Sequence, residues 1–216
     1  MKQVAVVFSG CGVYDGSEIN EAVLTLLAID KLGAKYQCFA PNIEQRKVVN
    51  HLTQDKMPES RNVLIESARI ARGQIKDLLE ADASKFDALI FPGGFGAAIN
   101  LCDFAVKGPD CEILPQVRAL VESMYRLSKP VGFICIAPAM IPRLYPKGVT
   151  LTIGTDEATA EQIEKMGGAH LACPVERTIV DKNHKVVSTP AYMLADRISE
   201  AQVGIEQLVK EVLKLT

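Results

Sequence analysis

The sequence predicts a single α/β domain built around a doubly wound, mostly parallel β-sheet. Short, continuous apolar runs recur along the 216 residues, as expected for strands that are covered on both faces. Segments with helical spacing of apolar residues separate these runs, and such an alternation favours right-handed crossovers between parallel strands. No linker, internal repeat or low-complexity stretch interrupts the pattern, so we predict one domain over residues 1–216.

The predicted strands are five runs rich in β-branched and aromatic residues. The last of them is the weakest, because threonine and glycine dilute its apolar character. The runs are 4–8 (VAVVF), 36–40 (YQCFA), 88–92 (ALIFP), 131–136 (VGFICI) and 150–154 (TLTIG).

The predicted helices lie between these strands and at the end of the chain. They begin at about Glu18, Arg61, Glu112 and Asp156, and the last one covers about residues 195–215. Asp156 is typical of an N-cap, and the glycines at 33 and 167 are typical of helix C-termini. These signals set the boundaries of the elements that surround the sheet.

Residues 177–192 depart from the alternation. Two β-rich runs, TIV and KVVST, flank the turn-forming segment DKNH. This pattern predicts an antiparallel hairpin at an edge of the sheet, with the second run able to return into the main sheet.

The composition argues against several classes of partner. Hydrophobic residues make up 48% of the chain and charged residues 23%, with a formal net charge of −2, so nothing indicates binding to nucleic acid or to a membrane surface. The apolar run near the N-terminus has five residues, shorter than the roughly 7–15 of a signal peptide. We therefore expect a cytoplasmic protein.

The cysteines and histidines show no metal-binding or disulfide pattern. Six cysteines are scattered without a C-x-x-C pair, and no H-x-E or H-E-x-x-H motif occurs. We expect reduced thiols, most of them inert, and no metal.

Ligands of doubly wound sheets bind beyond the carboxyl ends of the strands, so the loop after the first strand is a candidate site. This loop, SGCGVYDGSE at residues 9–18, contains Cys11 and three glycines, but the glycine offsets miss G-x-G-x-x-G by one residue. No acidic residue ends the second strand either, which argues against a dinucleotide cofactor. Glu18 starts the first helix, where it either projects toward the site or simply favours the helix N-terminus.

The loop after the third strand, PGGFGAA at residues 92–98, is the second candidate. Its consecutive glycines can expose backbone N–H groups as an anion cradle, or they can serve only a tight turn. Both interpretations apply to the same residues.

The stretch VGFICIAPAM at residues 131–140 places Cys135 where a strand turns into a helix. A nucleophile at such a turn is exposed at the top of the sheet, although Phe133 and Ala137 match the small-x-nucleophile-x-small pattern only in part. A helix starting near Ile136 would lower the pKa of the thiol, whereas burial would raise it and leave the residue inert. The position favours a nucleophile, for which His51, in the loop after strand two, is a candidate base.

The motifs SGCGVYDGSE, FPGGFGAA, GFICIAPAM, LTIGTD and STPAYML together resemble those of the ElbB proteins. These isoprenoid-biosynthesis-associated proteins are described as glyoxalases and belong to the PfpI and class I glutamine-amidotransferase-like superfamily. The resemblance extends over residues 3–215. It implies a flavodoxin-like fold, a homodimer, and Cys135 on the turn with Glu18 reaching it. It also implies that the backbone N–H groups of Gly94 and Ile136 bind an oxyanion.

The sequence departs from the amidotransferase pattern at functionally important positions. It has no G-x-C-x-G and no late H-x-E, and Ile136 rather than histidine follows Cys135, while the late loop offers Thr189 and Tyr192. Hydrolysis of glutamine or of a peptide needs an acid that protonates the leaving amine, so these departures disfavour both reactions.

The leading hypothesis is therefore a cofactor-independent glyoxalase that converts glyoxal, or another small dicarbonyl, to a 2-hydroxy acid such as glycolate. Cys135 would form a hemithioacetal with the aldehyde, and Glu18 would move a proton between the two carbons. The alternative is a non-catalytic redox sensor or binding protein, linked to isoprenoid metabolism, in which Cys135 oxidises reversibly.

Overall fold

The computed structural model describes all residues from 1 to 216 and has a seven-stranded sheet with helices on both faces. The strands follow one another across the sheet in the order β3-β2-β1-β4-β5-β9-β8, and every neighbouring pair is parallel except β8 and β9. The strands are β1 (Gln3–Val7), β2 (Lys35–Ala40), β3 (Ile75–Asp77), β4 (Ala88–Phe91), β5 (Val131–Ile134), β6 (Thr150–Leu151), β7 (Ala169–His170), β8 (Ile179–Asp181) and β9 (Val186–Thr189). The predicted fold class is thus confirmed.

Eight α-helices connect and cover the strands. They are α1 (Ile19–Lys31), α2 (Val63–Ile70), α3 (Phe95–Ile99), α4 (Phe104–Lys107), α5 (Pro115–Arg126), α6 (Ile141–Leu144), α7 (Glu157–Lys165) and α8 (Ile198–Lys214). No helix combines the length and the apolar character that crossing a membrane requires.

The predicted hairpin forms, and its second strand returns into the main sheet. β8 and β9 pair antiparallel at the edge, while β9 also pairs in parallel with β5. This double pairing puts the end of β9 beside the end of β5. The loop that follows β9 therefore lies next to Cys135.

Two strands differ from the prediction. The run at 150–154 forms only the two-residue β6, which pairs with β7 in a small separate sheet. The main sheet instead gains β3 at its edge, where the short and only partly buried sequence IKD gives no apolar run to detect. Tertiary pairing, rather than local propensity, decides both cases.

The core has two layers, one on each face of the sheet. Along β4, Leu89 and Phe91 point to one face and Ala88 and Ile90 to the other, and all four side chains are buried. Alternation of side chains along a strand that is covered on both sides produces this continuous apolar sequence. The two layers hold β1, β4, β5 and β9 in register, and the loops after them meet at one edge.

Candidate active site

Cys135 occupies a sharp turn immediately after β5. Its φ angle is 63°, a left-handed conformation that a non-glycine residue rarely adopts. Its backbone N–H donates to the carbonyl oxygen of Thr189 at 2.9 Å, so β9 holds the turn in place. The residue is only 8% exposed. A strained backbone at a buried thiol is a feature of functional turns.

The carboxyl group of Glu21 lies beside the Cys135 thiol, close enough for each group to shift the pKa of the other. Glu21 lies in the first turn of α1 and has no exposed surface. Two backbone N–H groups donate to its oxygens, that of Gly93 at 3.0 Å to Oε2 and that of Tyr192 at 3.1 Å to Oε1. Three separate segments therefore fix the carboxyl group against the thiol.

The glycines of the loop after β4 allow this close approach. A Cβ atom at Gly93 would stand 2.4 Å from the Cys135 Cβ and 2.5 Å from Glu21 Oε2. At Gly94, whose φ is 93°, a Cβ atom would stand 2.3 Å from the backbone nitrogen of Glu18. The PGG sequence is therefore required sterically between the thiol and the start of α1.

The backbone N–H groups of Gly94 and Ile136 favour the ionised form of the Cys135 thiol and so act to lower its pKa. These are the two amides that the resemblance assigns to oxyanion binding, and the structure brings them together from two loops. They favour a negative charge near the sulfur. Their action on a reaction intermediate stays a prediction.

Burial, followed by the negative charge of Glu21, raises the pKa of the Cys135 thiol well above its ordinary value. The two amides lower the pKa, but by less than burial and Glu21 raise it. The lowering of the thiol pKa that a helix start would produce is therefore outweighed. The helical segment after the thiol is short and irregular, a 3₁₀ turn at Ala137–Met140 that continues into the four-residue α6, so its dipole is small.

Burial also raises the pKa of the Glu21 carboxyl to about 8. At neutral pH most molecules therefore keep this carboxyl protonated, and a neutral acid removes the charge that opposes a thiolate. Instead of repelling the thiolate, it can donate a hydrogen bond to the sulfur. The Glu21 carboxyl is thus able to take up and release a proton close to physiological pH.

A cavity of about 350 Å³ opens onto Cys135, with Glu21 buried behind the thiol. Its wall combines loop residues with residues of α3, α4 and α7, and most of its side chains are apolar. Twelve residues line it: Val13, Glu18, Gly94, Phe95, Ala98, Phe104, Ala105, Cys135, Ile136, Thr159, Tyr192 and Met193. This volume lies within the range of small-molecule sites and exceeds that of a two-carbon dialdehyde.

Glu18 lies in the wall of the cavity, whereas the resemblance had given it the contact with Cys135. The structure assigns that contact to Glu21, one helical turn further along. Glu18 is the N-cap of α1, and its Oε2 accepts a hydrogen bond from the Glu21 backbone N–H at 2.6 Å. Glu18 therefore does both things that the sequence allowed for it: it caps the N-terminus of α1 and it faces the site.

Glu21 was missed in the sequence, although a signal for it exists. Ala22, Thr25 and Ile29 form the buried face of α1, and Glu21 lies on the same face. A carboxylic acid at a core position is rarely tolerated without a function or a partner. The helical spacing could have singled it out.

The chain at and after the end of β9 contributes Tyr192 to the cavity wall, but it does not contribute the side chain of Thr189. Tyr192 lines the cavity, and its hydroxyl accepts a hydrogen bond from Asn20 Nδ2 at 3.2 Å. The Thr189 hydroxyl instead donates to the carbonyl oxygen of Arg177 at 2.9 Å. Only the backbone of Thr189 therefore supports the turn at Cys135.

His51 and Cys11 lie outside the cavity wall. The Nε2 of His51 accepts a hydrogen bond from the Tyr14 N–H at 3.2 Å, and its Nδ1 lies 3.0 Å from the Val49 carbonyl oxygen. These bonds hold the imidazole on the loop after β1. Cys11 is half-buried in the same loop, and burial and the charge of Glu66 raise its pKa.

The other two histidines are equally remote from the site. His170 accepts from the Ile153 N–H, and His184 lies 2.9 Å from Asp181 in the β8–β9 turn. The thiol therefore has a carboxyl partner and no imidazole partner. Such a pair can add sulfur to a carbonyl carbon and move protons, but it offers no imidazolium to a leaving amine.

Comparisons with known proteins place this arrangement among its relatives. No protein-family model matches the chain. A human protein named glutamine amidotransferase-like class 1 domain-containing protein 3, mitochondrial, is 44% identical over 224 residues, covering 99% of this chain and 83% of the human one.

Two solved structures are informative about the fold. An isoprenoid biosynthesis protein with an amidotransferase-like domain from Ehrlichia chaffeensis is 38% identical, with a TM-score of 0.93 over 100% of this chain and 99% of that chain. Glyoxalase III from Candida albicans has a TM-score of 0.64 over 99% of this chain and 97% of its own, and at 14% identity it shows a shared fold alone.

Proposed function

This chain belongs to the glutamine amidotransferase-like class 1 proteins, and we propose that it is an ElbB-type glyoxalase of the PfpI superfamily that needs no cofactor. Its substrate is glyoxal or another small dicarbonyl, and its product is a 2-hydroxy acid such as glycolate. The observation that carries the proposal is the juxtaposition of the buried Glu21 carboxyl and the Cys135 thiol, with Cys135 lining a cavity together with Gly94 and Ile136.

The first step joins the sulfur to the substrate. The Cys135 sulfur attacks one aldehyde carbon of glyoxal, and the carbonyl electron pair moves onto the oxygen, which lies within the field of the Gly94 and Ile136 amides. Glu21 in its ionised form takes the thiol proton as the sulfur attacks and passes this proton to the oxygen. The product is a hemithioacetal, and Glu21 is left as a carboxylate.

The second step moves a proton between carbons. The Glu21 carboxylate removes the proton from the carbon that carries the sulfur, which gives an enediol, and returns it to the neighbouring carbon. One carbon is oxidised to a thioester while the other is reduced to a hydroxymethyl group. Water then hydrolyses the thioester, so that glyoxal and one water become glycolate and a proton, with no external oxidant.

Glutamine hydrolysis fits the site less well. Hydrolysis of an amide releases a poor leaving group that must be protonated, a task that imidazole performs in cysteine amidases. None of the three histidines lines the cavity. The aldehyde reaction has no leaving amine, so a thiol and a carboxyl group suffice.

The proposal is tested by following ¹³C-labelled glyoxal by NMR with the untreated protein and with protein whose Cys135 has been blocked by iodoacetamide. We expect glycolate from the untreated protein and only background conversion after blocking, with peptide mapping to verify the modified residue. Undiminished glycolate formation by the blocked protein would contradict the proposal.

A second candidate function, a cysteine-based redox sensor, is favoured by the carboxyl group on the sulfur. A protonated Glu21 can donate a hydrogen bond to the anionic oxygen of an oxidised Cys135. With hydrogen peroxide as the oxidant, a sensor would show oxidation confined to Cys135 by mass spectrometry, together with negligible turnover of dicarbonyls. Rapid glycolate formation would favour the glyoxalase.

We also propose a homodimer, as the resemblance implies. Ile19, Val23 and Leu27 recur every four residues on α1 and are 45%, 48% and 46% exposed, which gives one apolar stripe beside the site. Light scattering should give twice the chain mass of 23.5 kDa, and Val23→Lys should shift it toward the monomer. A wild-type mass of one chain would overturn the dimer.

A further inference from the structure

The cavity wall carries a negative charge and no positive charge. Of the twelve lining residues, only Glu18 is acidic, and none is lysine or arginine. Apart from Glu18, Cys135 and the polar groups of Thr159 and Tyr192, the wall consists of apolar side chains and one glycine. An anion entering this cavity meets a carboxylate and no compensating cation.

The Glu18 carboxylate has no ion-pair partner. Its Oε2 accepts the Glu21 backbone N–H, and no lysine, arginine or histidine lies within 4.0 Å of either of its oxygens. The nearby cations are engaged elsewhere. Lys47 lies over the Phe95 ring, 5.5 Å from its centroid, while Arg46 and Lys107 pair with Asp103.

We infer that Glu18 determines the charge of the carbonyl compounds that reach Cys135, admitting neutral molecules and excluding anionic ones. The inference deepens the proposed function, on which it rests for the reaction type. A carboxylate or phosphate group on the substrate would be repelled across a largely apolar space, where screening by water is weak. A neutral dicarbonyl meets no such penalty, and the apolar wall accommodates an alkyl or aryl substituent.

This exclusion of anions by Glu18, the charge filter, can be measured through the rate of alkylation of Cys135, without any turnover. Iodoacetamide and iodoacetate have similar size and the same leaving group, but only the second is anionic. The ratio of their rates at Cys135, measured by peptide mapping, reports charge selection. The protonation state of the thiol affects both reagents equally, so the ratio is independent of the thiol pKa. Glutathione supplies the ratio for a free thiol.

Two substitutions at Glu18 isolate the charge. Asp and Asn both serve as N-caps and have the same shape, so Glu18→Asp and Glu18→Asn should both preserve the start of α1. We expect the wild type and Glu18→Asp to prefer iodoacetamide about tenfold more strongly than glutathione does, by the strength of a charge pair in a partly dry site. In Glu18→Asn the preference should fall to the glutathione ratio.

Equal ratios in the Asp and Asn variants would overturn the inference. Its failure can be told apart from that of the proposed function, because alkylation requires no glyoxalase activity. A protein that selects iodoacetamide but makes no glycolate retains the filter and loses the reaction. A protein that makes glycolate with no charge preference retains the reaction and loses the filter.

Discussion

Two cysteine-bearing loops lie at the same edge of the sheet, after β1 and after β5, yet they are equipped differently. Cys135 has a left-handed backbone, two backbone amides that favour its ionised form and a buried carboxyl group beside it. Cys11 forms an isolated β-bridge with Ser17, and its electrostatic neighbours are the buried Glu66 and the arginines at 61 and 69. Only Cys135 opens onto the apolar cavity.

The difference shows that a position at a strand end is not sufficient for a reactive thiol. Cys11 follows the first strand in a glycine-rich loop, which is the common location of a ligand site in this type of sheet. The glycines there serve packing instead, since a Cβ atom at Gly16 would stand 2.3 Å from the Cys11 nitrogen. A site arises where donors from several loops converge on one atom.

The largest effect that separates the two loops is expected from Glu21→Gln. The substitution keeps the shape of the side chain but removes the acid, so glyoxal turnover should fall about 100- to 10,000-fold. Steady-state glycolate formation measures this loss. Glu122→Gln, a partly exposed position on α5, should retain full activity.

A merely structural role for Glu21 would leave kcat within a few-fold of the wild-type value in a variant that is folded by circular dichroism. That outcome would remove the distinction drawn between the two loops.

A smaller effect is expected from Gly93→Ala. The new methyl group would collide with both the Cys135 Cβ and the Glu21 carboxyl, forcing them apart. Displacement of reacting groups by about 1 Å can cost about 100-fold in rate. The control is Gly33→Ala, because Gly33 has a positive φ but no atom within 4 Å of the place that its new methyl group would occupy.

In the same glyoxal assay, Gly33→Ala should keep its activity and lose only stability. Equal activity in the two alanine variants would show that the contact at Gly93 is not needed for the reaction.

The smallest effect concerns the pH dependence of stability. The folded pKa of Glu21 is about 8, above its ordinary value of 4.5, so the folded state binds a proton that the unfolded state releases between these values. This group therefore makes the protein less stable as the pH rises from about 5 to 8, by at most about 1.4 kcal/mol per pH unit. Above pH 8 its contribution no longer changes.

Urea unfolding of the wild type and of Glu21→Gln at pH 5, 6, 7 and 8 measures this slope. The stability of the wild type relative to the variant should decline across the series. A constant difference would show that Glu21 titrates normally.

The sheet, and the position of Cys135 at the end of one of its strands, could be predicted from the sequence because both follow local rules. Buried parallel strands leave continuous apolar runs, and the thiol is located by the strand before it. β3 was not predicted because its three residues, two half-buried and one exposed, lie at an edge and give no apolar run. The run at 150–154 was predicted as a strand of the main sheet, but its first two residues pair with Ala169–His170 in a separate small sheet.

The partner of the thiol was harder to predict, since it depends on the rotation of one helix. Glu18 and Glu21 are three residues apart and both face the site, but the packing of α1 on the sheet turns Glu21 inward and leaves Glu18 in the wall. His51 was proposed as a base for Cys135 only because it lies in the loop after the second strand. Its hydrogen bonds to Tyr14 and Val49 depend on a fold that the linear sequence does not display.

The most direct measurement of the central claim is glycolate formation from glyoxal by Cys135→Ala and Cys11→Ala, assayed side by side at equal protein concentration. The account predicts that Cys135→Ala falls to the uncatalysed rate while Cys11→Ala stays within about twofold of the wild type, because only Cys135 contacts Glu21 and the cavity. Turnover that survives in Cys135→Ala, or that disappears in Cys11→Ala, would contradict it.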